Sequence, residues 1–353
     1  MKSTFAGLLA LSLLPFSLQA ADFPIKDKPV TLVVPFAAGG PTDRVARDLA
    51  EAMRKTLGNS VVVENAAGGP GGLIGATKVT RANPDGHTLL VHHIAMGIFP
   101  SLVRNLPFKV DSDFEYLGMI NDVPMTLIGK PQLPANNYKE LITWVNANKG
   151  SINLANAGLA SASHLCGMLW QASVQVDMTT VPYKGTAPAM TDLIGGQVDL
   201  MCDQTTNTTS QIEAKKVKVF GVTTQKRLNT PALKDVPTLD ESGQKNFQVT
   251  IWHGLYGPKG LSADAKAKLN AALKAALKDP NSVVDSFQGF PVWQDSYLLE
   301  NLNGKDKSVN FSTEVMGPGF YTALGKKMGL AFHSKVKTDV QVNGMSEPLV
   351  RLA

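Results

Sequence analysis

Three short segments rich in Gly, Ala and Ser have the composition expected of anion-binding turns. Each follows a predicted strand and precedes a predicted helix, and they are Phe36 to Asp43, Asn65 to Gly72, and Asn156 to Ser163. Small residues let a ligand approach main-chain N–H groups, and the start of a helix carries unpaired N–H groups with a partial positive charge. The chemistry that these segments favour is the binding of a small anion.

The candidate ligand-binding residues lie in the first and third turns, together with one acidic residue further along the chain. They are Phe36, Ala38, Gly39, Gly40, Thr42, Asp43, Asn156, Ala157, Gly158, Ser161, Ser163 and Asp203. In open α/β sheets, ligands bind beyond the carboxyl ends of the strands, where we expect these turns to lie. Asp203 has two interpretations: it could bind a ligand ammonium group, or it could cap a helix near Thr205, and capping is favoured.

Sequence motifs for catalysis are absent. The chain has no GxxxxGK[ST] phosphate loop, no GxGxxG fingerprint and no GxSxG nucleophile elbow. Ser163, His164 and Asp203 supply the residue types of a hydrolase triad, but neighbouring Ser and His on a helix point in different directions. Helix capping by Ser161 or Ser163 is the simpler interpretation. We therefore predict no catalytic residues and no cofactor, and an exported serine hydrolase is the alternative function.

The two cysteines of the chain are Cys166 and Cys202. A pair far apart in sequence suggests a disulfide if the protein is exported, and two unrelated buried thiols are the alternative. The segment His164-Leu165-Cys166 offers two metal ligands and no obvious third, so no metal site is predicted.

The first twenty residues have the pattern of a signal peptide. Lys2 precedes an apolar run from Phe5 to Leu18, and Ala20 is the small residue at the expected cleavage position. We expect export to the periplasm and cleavage after about Ala20. The net charge is +5, without a run of basic residues interleaved with aromatics, so nucleic acid is not an expected partner.

The chain, at 353 residues, is long enough for two hydrophobic cores. From Val30 to about Ile120, strands and helices alternate, which predicts an open parallel sheet. A second block of the same kind begins near Val123, and a strand predicted at Val217 to Thr223 returns to the first block. The predicted organisation is a signal peptide at 1–20, lobe 1 at 21–122 and 222–353, and lobe 2 at 123–221, with an aperiodic, atypical tail at 282–353.

Further short motifs run in order through residues 24 to about 280. They are Val34-Pro35-Phe36 with Gly39-Gly40 to Asp43, Asn65 with Gly68 to Gly75, Asn83 to Gly86, Ser161 to Leu165, Val181 to Gly185, Gly195 to Asp199, Val236 to Leu239, and Trp252-His253-Gly254. This series resembles the Bug proteins, the extracytoplasmic solute receptors of tripartite tricarboxylate transporters. The resemblance ends at about Ser282.

The resemblance implies a two-lobed α/β fold of the type II periplasmic-binding-protein (Venus flytrap) class, with a ligand cleft between the lobes. It implies that Phe36 to Asp43 face Ala155 to Ser163 and hold the carboxylate of a dicarboxylate, tricarboxylate or aromatic acid. The implied partners are this small anionic ligand and the membrane permease subunits, and we expect a monomer. Because the resemblance ends near Ser282, a nonfunctional receptor with an altered C-terminus is a third interpretation.

Overall fold

The structure is a computed structural model that describes residues 23–278. The predicted signal peptide, its cleavage site and the tail after Ser282 lie outside the described residues. Within 23–278 the strands are β1 Val30–Val34, β2 Val61–Asn65, β3 Thr88–His93, β4 Phe114–Gly129, β5 Asn153–Asn156, β6 Thr179–Pro182, β7 Leu200–Gln204, β8 Lys218–Val222 and β9 Thr250–Pro258. The helices are α1 Pro41–Leu57, α2 Leu73–Thr80, α3 Ala95–Leu102, α4 Tyr138–Ala147, α5 Ala162–Val174, α6 Thr186–Ile194, α7 Thr205–Glu213 and α8 Ala263–Ala276.

The long strand β4 belongs to two sheets. Its residues 114–124 pair with β9 in sheet A, which has the order β2-β1-β3-β9-β4. Its residues 125–129 pair with β7 and β8 in sheet B, where β7 continues to β5 and β6. Both sheets are mixed, because β9 runs antiparallel to β3 and β4, and β4 runs antiparallel to β7 and β8. The predicted parallel arrangement is confirmed for β1, β2 and β3, and β9, which comes from later in the chain, adds the antiparallel pairs.

The chain re-enters sheet A later than the sequence predicts. The strand expected to return to the first block, β8, pairs with the second half of β4 in sheet B. The segment after β8 also stays with sheet B, since Leu239 N–H donates to Val222 O and Val222 packs against Leu233 and Val236. Sheet A is reached at Thr250, where β9 begins.

Local sequence signals explain where α1 begins and ends. Pro41 occupies the first turn, Asp43 adds a negative charge near the helix start, and Gly58 adopts the left-handed conformation (φ 61°) that closes the last turn by donating to Arg54 O. The apolar face of α1 packs with α8 against β1 and β3. Both helices thereby fix the turn that precedes α1 to sheet A.

A disulfide joins Cys166 of α5 to Cys202 of β7, with a Cα–Cα distance of 5.9 Å. The predicted disulfide is confirmed. Ser163 adds a second connection between the same elements, because its Oγ donates to Cys202 O at 2.6 Å. The start of α5 is therefore held against the end of β7, both of which border the turns described next.

Candidate functional site

The turn after β1 is organised around the buried carboxylate of Asp43. Its oxygens accept hydrogen bonds from Gly39 N–H and Arg47 Nε at 2.9 Å each, and from Asn65 Nδ2 at 2.9 Å. Asn65 Nδ2 also donates to Phe36 O at 3.0 Å. Burial opposes ionisation of Asp43, but the hydrogen bonds from Arg47, Gly39 and Asn65 outweigh it and lower its pKa. Asp43 thus shapes the turn, and its oxygens are already bonded within the protein.

Beneath this turn lies a buried group of aromatic and histidine side chains. Phe36 stacks on His93 with ring centroids 4.8 Å apart, and His253 Nε2 lies 3.2 Å from Thr42 Oγ1. His253 Nδ1 lies 2.8 Å from Asn121 Oδ1. Burial lowers the pKa of His253 to about 3, so the ring is neutral. A neutral imidazole has one N–H donor and one acceptor nitrogen. If Nδ1–H donates to Asn121 Oδ1, then Nε2 accepts the hydrogen bond from the Thr42 hydroxyl. Phe36 is therefore part of the hydrophobic core. Because the Thr42 hydroxyl is bonded to His253, only the main-chain N–H of Thr42 is available to a ligand.

The turn after β5 has its own internal hydrogen bonds. Asn156 Oδ1 accepts from Gly158 N–H at 2.9 Å, and Ser161 Oγ accepts from His164 N–H at 3.2 Å. Ser161 is the N-cap of α5, so the predicted capping role is confirmed for Ser161, whereas the Ser163 hydroxyl bonds to Cys202 O instead.

The predicted alternative of a serine hydrolase has no support in this geometry. The Ser163 hydroxyl donates to a main-chain carbonyl, and His164 Nδ1 accepts from Ala160 N–H at 3.2 Å. Burial lowers the pKa of His164 to about 4. A nucleophile and its general base must share a hydrogen bond, and these two side chains are each engaged with the main chain.

The turns of sheet A meet those of sheet B through direct main-chain contacts. Ala37 N–H donates to Lys184 O at 3.1 Å, and Gly71 N–H donates to Leu159 O at 2.5 Å. We call this zone the seam, and we define it by Ala37, Gly40, Gly71, Leu159, Lys184, Gly185 and Thr186. The turn after β1 therefore contacts the start of α6, and the turn at 68–72 contacts the turn at 158–160. The resemblance implied a different pairing, in which residues 36–43 face residues 155–163.

The start of α6 is a part of the site that the sequence reasoning missed. A Cβ on Gly185 would lie 2.8 Å from Ala37 N, so only glycine permits this approach. A Cβ on Gly40 would lie 3.6 Å from Thr186 Cβ, which is ordinary contact. The signal was available, because Lys184-Gly185-Thr186 follows strand β6 and precedes a helix in the same way as the three selected turns.

Helices α1, α6 and α7 begin at or beside this seam without a side-chain cap. The N-cap residues of α1, α6 and α7 are Gly40, Gly185 and Gln204, and none accepts a capping hydrogen bond through its side chain. The first-turn N–H groups of an uncapped helix need other partners, and an anion supplies them. The arrangement is suited to binding an anion with main-chain groups.

Asp203 lies at this place with only 1% of its surface exposed. Asn207 Nδ2 donates to Asp203 Oδ2 at 2.7 Å, and Gln204 N–H and the Thr186 hydroxyl also bond to the carboxyl group. Burial outweighs these hydrogen bonds and raises the pKa of Asp203 to about 7. The N-cap of α7 is Gln204, so the favoured capping role of Asp203 is wrong.

Two further properties concern residues 23–278 alone. Within that range, no three His, Cys, Asp or Glu side chains are grouped in a way that could hold a metal ion. No helix in the same range combines the length and the apolar composition needed to cross a bilayer.

Residues 45–297 match the family described as tripartite tricarboxylate transporter family receptors. This match passes Ser282, where the sequence resemblance was expected to end. Solved structures that are similar to this chain include BugD, MatC and Rpa4515. The periplasmic binding protein BugD is 54% identical, with a TM-score of 0.70, over 72% of this chain and 85% of BugD.

The second is MatC from Rhodopseudomonas palustris with bound malate, which is 40% identical with a TM-score of 0.69, over 73% of this chain and 87% of MatC. The third is Rpa4515 from R. palustris with adipate, 31% identical with a TM-score of 0.70, over 75% of this chain and 87% of Rpa4515. These similarities confirm the predicted periplasmic-binding-protein fold with a ligand cleft between two lobes.

Proposed function

We propose that this chain, which belongs to the receptor family of the tripartite tricarboxylate transporters, binds a small carboxylate at the seam and delivers it to the membrane permease subunits. The similarity to structures that hold malate and adipate supports a carboxylate ligand. The observation that carries the proposal is that α1, α6 and α7 start without a side-chain cap. Helix α1 follows a strand of sheet A, and α6 and α7 follow strands of sheet B. Their N–H groups and partial positive charges favour an anion.

We place the boundary between the lobes where β4 changes partners. Lobe 1 contains residues 23–124 and 250–278, and lobe 2 contains residues 125–249. This division is supported by the pairing of β4 with β9 up to Pro124 and with β7 from Met125 onward. It assigns residues 222–249 to lobe 2, which differs from the boundaries predicted from the sequence.

Main-chain groups carry most of the proposed recognition. In lobe 1 they are the N–H groups of Ala38, Gly40 and Thr42, and in lobe 2 those of Ala157 and the α6 start. Four side chains hold their turns in place through the hydrogen bonds described above: Asp43, Asn156, Ser161 and Ser163. Gly39 N–H bonds to Asp43 and Gly158 N–H bonds to Asn156, so these two N–H groups are already used within the protein. Asp203 contributes a buried carboxyl group that contacts a polar substituent of the ligand.

Closure of the lobes follows from ligand contacts on both sides. A ligand that bonds to lobe 1 and lobe 2 together stabilises the closed form by its extra contacts there. The closed form is the one that the permease subunits recognise. Export with cleavage after about Ala20 and a monomeric state are parts of the same proposal.

The test is a thermal-shift screen of small carboxylic acids followed by titration calorimetry with each acid that raises the melting temperature. The variant is Gly40→Val, because Gly40 has an ordinary extended conformation (φ −86°, ψ 175°) and an added side chain enters the seam beside Thr186. We expect Gly40→Val to lose at least tenfold in affinity. Gly39 and Gly158 are poorer choices, since their φ angles of +81° and +110° strain any other residue.

The matched control is Gly195→Val at the opposite, exposed end of α6. It should bind as the unmodified protein does. If no carboxylate raises the melting temperature, the proposed ligand class is wrong. If Gly40→Val binds with undiminished affinity, the ligand does not occupy the seam.

A further inference from the structure

The strands that connect the two lobes carry a carboxyl group with one unpaired oxygen. Asp122 lies in β4 two residues before Pro124, which pairs with Thr250 at the start of β9. Thr250 Oγ1 donates to Asp122 Oδ2 at 3.0 Å. The residue as a whole is partly exposed, but Asp122 Oδ1 is buried and has no hydrogen-bond partner among residues 23–278. A charged carboxylate with an oxygen in that position is costly, because it has lost water without gaining a donor.

The hydrogen bond between Asp122 and Thr250 lies where the chain crosses from one lobe to the other. At Met125, β4 passes into sheet B, and Val249 is the last residue before β9 begins in sheet A. When two lobes rotate, the residues that connect them change their backbone conformation. Asp122 and Thr250 are therefore within three residues of the backbone that must move.

The structure describes the form in which the lobes are in contact. Main-chain hydrogen bonds from Ala37 and Gly71 of lobe 1 reach lobe 2 across the seam, so this is the closed form. Here burial raises the pKa of Asp122 to about 6, and the hydrogen bond from Thr250 opposes the rise only in part. The closed form thus holds the neutral carboxyl group better than water does.

Neighbouring charges do not account for the environment of Asp122. Among the described residues, Thr250 is the only side chain that affects its pKa, and it is uncharged. On β9, His253 is neutral because burial lowers its pKa to about 3, and its ring bonds to Asn121. Besides β9, the elements that pair with or pack against β4 are β7, β8, α7 and α8. The charged residues on these elements and on β4, none of which affects the pKa of Asp122, are Asp203, Lys218, Glu213, Glu115 and those of α8.

We propose that Asp122 is a proton-sensitive hinge residue, whose neutral form favours closed lobes and whose charged form favours open lobes. The physical reason is that opening moves the crossing segments and admits water to Oδ1, which stabilises the charged carboxylate. Acid therefore promotes closure and ligand retention, and a higher pH promotes opening and release. The inference rests on the proposed function, because it concerns how readily the lobes close on a ligand.

Closure of the lobes should take up a proton. A group whose pKa is higher in the closed form than in the open form shifts the equilibrium toward closure as the pH falls through the closed-form pKa. We take the pKa of Asp122 as about 6 in the closed form and as the ordinary 3.8 in the open form. The closing equilibrium constant is then about tenfold larger at pH 5 than at pH 8.

The test compares ligand affinities at several pH values between 5 and 8. Titration calorimetry with malate, adipate and any acid that the thermal-shift screen selects is carried out on the unmodified protein, Asp122→Asn, Thr250→Val and the exposed control Asp235→Asn. Asparagine keeps the size of the neutral carboxyl group and an oxygen that accepts from Thr250. The ligand and Asp203 titrate in every protein compared, so their effects cancel in the ratio of two affinities.

We expect Asp122→Asn to bind more tightly than the unmodified protein at pH 8. The ratio of the two affinities should fall about tenfold from pH 8 to pH 5, because the unmodified protein gains the proton that asparagine imitates. The same ratio for Asp235→Asn should not change with pH. Thr250→Val keeps the carboxyl group but removes the hydrogen bond that stabilises its charge, so the pH at which affinity falls should move upward.

Small-angle X-ray scattering without ligand tests the hinge independently of the ligand class. The radius of gyration of the unmodified protein should be smaller at pH 5 than at pH 8, and this difference should shrink in Asp122→Asn. Thermal melting of each variant shows that it is folded at both pH values. Should Asp122→Asn fail to fold, the upward shift in Thr250→Val is the deciding measurement.

Failure of the hinge and failure of the proposed function give different results. If an acid binds and the ratio for Asp122→Asn is the same from pH 5 to pH 8, the function stands and Asp122 is not a proton-sensitive hinge residue. If no carboxylic acid binds, the proposed function fails and scattering decides alone. An equal pH dependence of the radius of gyration in the unmodified protein and in Asp122→Asn then overturns the hinge as well.

Discussion

Asp203 is the residue whose chemistry the fold changes most. Burial raises its pKa to about 7, although the interactions with Asn207 and Thr186 act to lower it, whereas the unfolded chain ionises it near 3.8. Between these two pH values, unfolding releases a proton from Asp203, so its contribution to stability is greatest at low pH and is lost as the pH rises. Above about pH 7 the group is charged in both states, and the loss is complete.

The variant Asp203→Asn isolates this effect. The free energy of unfolding of Asp203→Asn minus that of the unmodified protein should rise from pH 4.5 to pH 7.5 and then level off. The rise is at most about 4 kcal/mol, from about 1.4 kcal/mol per pKa unit. Urea denaturation at several pH values measures it, with the exposed Asp235→Asn as a control that should give a flat difference. A flat difference for Asp203→Asn would mean that the carboxyl is charged in the folded protein at all these pH values.

At the scale of elements, Thr223 joins the segments that cross between the two sheets. Its buried hydroxyl accepts from Met125 N–H at 3.0 Å and lies 2.5 Å from Val249 O, to which it can donate. Met125 is where β4 enters sheet B, and Val249 is the residue before β9. The side chain thus connects the outgoing and returning segments at one point.

Thr223→Val keeps the shape and removes the hydroxyl. It leaves Met125 N–H without this acceptor, so we expect it to lower the free energy of unfolding by about 2–3 kcal/mol. The control is Thr224→Val, whose buried hydroxyl bonds to Lys226 O two residues away and should cost about 1 kcal/mol. Urea denaturation measures the free energy of unfolding of both variants. Equal losses in the two variants would show that the Thr223 hydroxyl stabilises the protein no more than a local hydrogen bond does.

At the scale of the whole molecule, close contact between the two sheets depends on Gly185. Its φ of 160° is extended backbone that any residue adopts, so alanine there adds no backbone strain. The added Cβ instead meets Ala37 N at 2.8 Å and Ala37 Cβ at 2.9 Å across the seam. The clash acts against closure and leaves each sheet intact.

Gly185→Ala should therefore weaken ligand binding by about tenfold or more, which corresponds to about 1.4 kcal/mol. In small-angle X-ray scattering with saturating carboxylate, its radius of gyration should stay above that of the unmodified protein. The control Gly195→Ala lies at the other end of α6 and should behave as the unmodified protein. An unchanged affinity together with an unchanged radius would show that the lobes close without this main-chain contact.

The sequence by itself located most elements and the turn after β1. Helix α1 is specified by its apolar face, by Pro41 and by Gly58, and all of these signals act within a few residues. The disulfide partners were also predictable, because the sequence offers a single pairing. The apolar helix α3, with Pro100 inside it, was missed, since its sequence is not typical of a helix, and α7 was expected only through the capping role assigned to Asp203.

Tertiary structure decided which turns contact each other and which polar groups are still able to bond to a ligand. No local pattern reveals that Ala37 lies against Lys184, that β8 pairs within sheet B, or that the Asp43 carboxylate is already bonded to Asn65. These facts depend on residues distant in sequence, and only packing of the sheets brings them within hydrogen-bonding distance. A chain can encode an anion-binding turn locally, but the assembled sheets determine which N–H groups are unpaired and therefore which groups can hold a ligand.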